Sequence, residues 1–138
     1  MSALDEYLIQ LAKDLDLPEP IAAEGEGVFT LPVKEGLIVR ISDLNDVYQF
    51  HCPIIACPTH DVEDFFRVAM LGNLFGQGTD GAVLGLDEEG KMVTVALEIP
   101  QEAEYEEFHN QFEDFLNTID VWQEEAINQN AKKKRDYL

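Results

Sequence analysis

Seven residues near the C-terminus, Tyr105, Phe108, Phe112, Phe115, Ile119, Trp122 and Ala126, recur at spacings of three, four, three, four, three and four. A helix carries such residues on a single stripe, so this segment must lie along an apolar surface supplied by the rest of the chain. Any fold the chain adopts has to provide that surface.

Strand patterns provide it. Val28 to Val33 and Leu37 to Ser42 are rich in β-branched and apolar residues and flank Lys34-Glu35-Gly36, a short hairpin signal. Val47 to Cys57 continues the meander, with Pro53 marking an edge or a bulge. Ala82 to Leu86 and Lys91 to Ile99 make a second hairpin across Asp87-Glu88-Glu89-Gly90. Ser2 caps a first helix that carries Leu4, Leu8, Leu11 and Leu15 on one side and ends before Pro18. The stretch from Asp16 to Gly27, with two prolines and two glycines, reads as a loop. Thr59 or Asp61 caps a second helix, whose Val62, Phe65, Phe66, Ala69 and Met70 make it apolar on more than one side. The predicted order is αβββαββα, an α+β fold with a single antiparallel sheet flanked by three helices. A length of 138 residues suits one such domain, taken as residues 1 to 131, with a basic tail over 132 to 138.

Charge narrows the function. The formal net charge is -19, and residues 1 to 131 alone hold 27 acids and 5 bases, a net of -22. Such a body repels phosphate backbones and anionic membrane surfaces, so neither nucleic acid nor membrane is an expected partner. The cluster Lys132, Lys133, Lys134, Arg135 reads as a solvated tail. The N-terminal residues lack the regions of a signal peptide, and no apolar run approaches the ~18 residues that span a bilayer, which predicts a cytoplasmic protein.

Chemical motifs are weak. Gly76-Gln77-Gly78-Thr79-Asp80-Gly81 matches G-x-G-x-x-G but follows a helix and precedes a strand, the reverse of a dinucleotide site, and Asp80 opposes phosphate. His51, Cys52, Cys57 and His60 are four potential zinc ligands, yet in an extended strand Cys52 and Cys57 lie roughly 16 Å apart on opposite faces. Buried, reduced thiols are the expectation, with no metal and no other cofactor. Ser2 and Ser42, the two serines of the chain, lie on no nucleophile-elbow motif, and the carboxylates fall mostly on helix faces and turns. No catalytic residue is expected.

Several segments in order resemble a known family. These are the opener Tyr7-Leu8-Ile9-Gln10-Leu11-Ala12-Lys13-Asp14-Leu15, the stretch Phe50-His51-Cys52-Pro53-Ile54 followed by Pro58, and the block Leu71-Gly72-Asn73-Leu74-Phe75-Gly76 then Gly81-Ala82-Val83-Leu84-Gly85-Leu86-Asp87. With the closing helix Phe108 to Trp122 they resemble class I type III secretion chaperones of the Tir chaperone (CesT) family. The resemblance implies a dimer in the bacterial cytoplasm that holds the N-terminal segment of a secreted effector extended and soluble. It places the dimer contact on the second helix and the strand after the glycine turn, here Val62, Phe65, Phe66, Ala69, Met70 and Val83. A homodimer is expected, with a sister chaperone as the alternative partner. Strand alternation puts Leu37, Val39 and Ile41 on one face and Ile38, Arg40 and Ser42 on the other, and the mixed face is expected outermost. The expected effector-binding set is Val28, Leu31, Ile38, Arg40, Tyr48 and Phe50. A regulator of the same fold that binds a folded partner is the competing reading.

Overall fold

A computed structural model describes residues 2–34, 36–59, 61–73 and 81–136, with side chains through Asn128. Its elements are α1 (Ala3–Asp14), β1 (Ala22–Gly25), β2 (Val28–Lys34), β3 (Leu37–Asp43), β4 (Val47–Ala56), α2 (Val62–Asn73), β5 (Val83–Leu86), β6 (Met92–Pro100) and α3 (Tyr105–Asp136). The strands form one antiparallel sheet in the order β1-β2-β3-β4-β6-β5. The predicted α+β architecture therefore holds, with one strand more than predicted. That strand, β1, lies inside the expected loop: Ala22 pairs with Thr30 and Ala23 with Phe29, and the chain turns at Gly27 with φ 70°. All four β1 residues are exposed, so no buried alternation announces it.

Each element follows from local chemistry. Ser2 caps α1 reciprocally: Asp5 N–H donates to Ser2 Oγ at 3.1 Å, and Ser2 N–H donates to Asp5 Oδ2 at 3.0 Å. A cap of this kind stabilises a helix by about 1 kcal/mol. Pro53 sits at a bulge, where the β4–β6 register shifts between Pro53 and Ile55, because proline has no N–H to give the ladder.

The three helices cover one face of the sheet. The α3 stripe lies on it, with Phe108, Phe112, Phe115, Ile119, Trp122 and Ala126 buried. The Phe50 ring of β4 meets three of them at centroid distances of 5.3, 5.3 and 5.5 Å. Each such aromatic contributes roughly 1.5–3 kcal/mol of burial. Tyr105, first of the stripe, is only half-buried and donates its hydroxyl to Asp14 Oδ2 at 2.6 Å, while Tyr7 of α1 donates to the Ala103 carbonyl at 2.8 Å. These two bonds fasten α1 to the start of α3. Helix α2 crosses α3 at Gly72, where a Cβ would lie 2.4 Å from the Trp122 ring. The backbone of Lys132 to Arg135 continues α3, which runs to Asp136, so the tail begins inside a helix.

Candidate functional site

Among the described residues, apolar area lies exposed at each rim of the sheet. At the β5 rim, α2 buries a single residue, Phe65, which is 2% exposed. The expectation that Phe65 forms a dimer contact is therefore corrected: it faces the sheet and belongs to the core. Val62, Phe66 and Ala69 are half-buried, and Met70 is 73% exposed. Val83 of β5 is 58% exposed on the face away from the helices. Leu71 and Leu86 join this rim as exposed side chains that were not among the expected contacts. Their signal was present in the sequence as apolar residues beyond what one core-facing stripe needs.

At the opposite rim, α1, the segment after it and β2 enclose a hollow of about 730 Å³. Leu8, Ile9 and Ala12 come from the helix, Leu17, Pro18, Pro20 and Ile21 from the connection, and Phe29 from β2. Asp5, Lys13 and Glu19 also line it, so the groove is apolar with a charged margin. Ile9 lies off the leucine stripe of α1, half exposed, and was the legible trace of this groove.

On β3 the predicted alternation holds from Leu37 to Ile41 and fails at Ser42, which was expected on the exposed face and is buried at 8% exposure. Leu37, Val39 and Ile41 are buried under the helices, while Ile38 and Arg40 are exposed. Val28, paired with Ser42 on the same outer face, is half-buried. Leu31, Tyr48 and Phe50 are 3%, 3% and 0% exposed, which corrects their expected place in the effector-binding set. Leu31 pairs with Val39 and Phe50 with Ile41, so register carries both to the helix-covered side, and Tyr48 joins them two residues before Phe50.

Arg40 reaches Glu24 of β1 at 3.4 Å and lies opposite His51 of β4. Burial holds the His51 imidazole below its ordinary pKa, and the Arg40 charge adds to this. Cys52, next in β4, faces the core, and burial pushes its thiol up to about 11. Half-buried Cys57 is raised by the same cause. His51 and Cys52 thus point to opposite faces, His60 lies outside the described residues, and among those described no group of three or more His, Cys, Asp or Glu is placed to hold a metal. Of the G-x-G-x-x-G stretch only Gly81 is described, at φ 87°. Among the described residues no helix is long and apolar enough to cross a membrane.

With this geometry in place, similarity to known proteins is informative. The family model of the Tir chaperone protein (CesT) family matches residues 6–123. A Chlamydia pneumoniae protein, CPj0713/CpB0740, is 27% identical over 121 residues, covering 86% of this chain and 92% of that protein. Among solved structures, a chain of the ExsC-ExsE complex superposes with a TM-score of 0.73 at 17% identity, covering 89% of this chain and 92% of its own. A chain of the HopA1-SchA chaperone-effector complex gives 0.68 at 15% identity, covering 90% and 98%. A chain of the heterodimeric ExoU-SpcU complex from the type III secretion system of Pseudomonas aeruginosa gives 0.64 at 11% identity, covering 91% and 95%. At these identities the structural likeness is one of fold.

Proposed function

We propose that this chain, which belongs to the Tir chaperone protein (CesT) family, is a type III secretion chaperone that binds the N-terminal segment of one or more effectors and keeps it extended, soluble and secretion-competent. The structural neighbours include a chain solved in a chaperone-effector complex and one in a heterodimeric complex of a type III secretion system, which supports a client of this class. The observation that carries the reading is the apolar groove of α1 and Phe29 beside the exposed strand β1. An extended segment can pair its backbone along such an edge while its apolar side chains fill the groove. Val28, Ile38 and Arg40 extend the contact over the outer face.

The work is binding and requires no bond to be made or broken, so the chain acts without a catalytic residue or cofactor. A body of net charge -19 stays dispersed while exposing apolar grooves. The α2 and β5 rim serves a second role. Met70 and Val83, flanked by Val62, Phe66 and Ala69, form the contact between two copies, because apolar side chains exposed this fully need a partner surface. Residues 1 to 131 act as the chaperone domain and 132 to 138 as its basic end, in the cytoplasm where effectors await export.

Calorimetric titration with an effector N-terminal segment tests this function. Groove binding buries apolar area and gives a negative heat-capacity change with modest salt dependence. An affinity that collapses with salt while the heat-capacity change stays near zero would show a partner held by charge, and the groove reading would fail.

A further inference from the structure

A sheet ends in two edges, and each edge strand turns alternate N–H and C=O groups outward, where another strand can pair with them. The edges here are β1 and β5. They differ at the backbone. In β5, Leu84 stands opposite Val95 of β6, and its N–H and C=O are both taken by one side chain from α2. Leu84 N–H donates to Asn73 Oδ1 at 2.8 Å, and Asn73 Nδ2 donates to the Leu84 carbonyl at 3.0 Å. A carboxamide carries one acceptor and a donor at the spacing of a peptide group, so Asn73 offers β5 what a neighbouring strand would offer.

The position of that amide is built in. Asn73 is the last residue of α2, and Gly72 before it lets the helix pack directly on the Trp122 ring, which sets the helix end against β5. Strand β1 has no counterpart. Among the described residues, no hydrogen bond reaches the backbone of Ala22, Ala23 or Glu24 beyond the pairing with β2.

We propose that Asn73 is a strand mimic that closes the β5 edge, so that an extended partner segment adds to this sheet at β1 and not at β5. The closure also makes the rim around β5 a surface for side-chain packing instead of sheet continuation. The choice of edge rests on the chaperone reading only for the identity of the partner; the closure itself concerns this chain alone.

Amide hydrogen exchange on the full chain tests it without any client. In Asn73→Ala, the Leu84 amide is expected to exchange about tenfold faster or more, while the Phe50 and Val95 amides in the sheet interior keep their protection. Asn73→Asp keeps the acceptor and loses the donor, so Leu84 stays protected as in the parent chain. A synthetic peptide with the β6 sequence Met92–Pro100, the natural antiparallel partner of β5, is then added as the strand probe. It is expected to restore protection of Leu84 in Asn73→Ala and to leave Leu84 exchange unchanged in the parent. Equal Leu84 exchange in the parent and both variants, or added protection of Leu84 by the peptide in the parent, would overturn the closure. Should Asn73→Ala unfold, Asn73→Ser, whose short hydroxyl cannot bond both the Leu84 N–H and its carbonyl, takes its place, with the same faster Leu84 exchange expected and unchanged exchange overturning the closure. Failure of effector binding with the closure intact would instead count against the chaperone reading.

Discussion

The two rims of the sheet invite different kinds of contact. At β1 the backbone is open and the side chains are small or charged, Ala22, Ala23, Glu24 and Gly25, with an apolar hollow alongside. At β5 the backbone of Leu84 is occupied by Asn73, and the exposed side chains are large and apolar, Met70, Leu71, Val83 and Leu86. An open edge with little side-chain bulk accepts an extended chain of varied sequence, since main-chain hydrogen bonds do not depend on side-chain identity. A closed edge with apolar bulk accepts a fixed, complementary surface, such as a second copy. On the proposed reading, the sheet separates client binding from self-association by the chemistry of its two edges.

The largest expected effect separates the core from the rim within α2. Phe65→Asp places a carboxylate where the side chain is 2% exposed, at a cost of more than about 4 kcal/mol, so the chain should unfold instead of dissociating. Circular dichroism read beside the mass checks it; a folded monomer would return Phe65 to the interface. The next effect is on the rim itself. Met70→Asp should leave the fold intact and weaken self-association by about 2 kcal/mol, roughly 30-fold, because the side chain is already in water in the single chain. Light scattering across a dilution series follows the change, and a parent chain that stays monomeric at micromolar concentration would remove the rim's assigned role.

How far the sequence disclosed these rims depends on whether a feature is local. The α3 stripe and the alternation of β3 are local periodicities, and Phe108, Ile38 and Arg40 stand where those periods put them. Phe50 and Tyr48 were misplaced because the phase of β4 relative to β3 is a property of register, which pairs Phe50 with Ile41. Phe65 and Phe66 are adjacent on a helix apolar on two sides, so composition cannot tell which one faces the sheet. Strand β1 has no alternation to read, and the Asn73 contact joins residues 11 apart through side-chain geometry that no spacing rule describes.

At the other rim a smaller effect is expected. Ile9→Asp adds charge at the lip of the α1 groove, where Ile9 is 47% exposed, and should weaken client binding about tenfold, about 1.4 kcal/mol, with thermal stability nearly unchanged. Self-association should not move at all. If Ile9→Asp and Met70→Asp each lowered both client affinity and dimer mass, the division of labour between the rims would be lost.

The smallest effect lies between the rims, on the outer face where Arg40, His51, Ala96 and Val83 form one row across the sheet. Burial, and then the facing Arg40 guanidinium, hold the His51 imidazole below the usual 6.5. Glu24 pairs with Arg40, and two residues before His51 on β4 Gln49 faces outward opposite Glu98 of β6. Between the folded and unfolded pKa values the unfolded chain binds more protons, so stability contributed by neutral His51 is fully present above pH 6.5 and declines as the pH falls through the folded value. The melting temperature of the parent chain should therefore drop more between pH 7 and pH 5 than that of His51→Gln, which has no proton to take up. Arg40→Gln should show an intermediate drop, because it removes the lesser of the two causes and leaves burial in place. Parallel pH dependence in the parent and His51→Gln would mean that the imidazole is as well solvated folded as unfolded, and the outer face at β4 would then be as open to a client as the exposed strand β1.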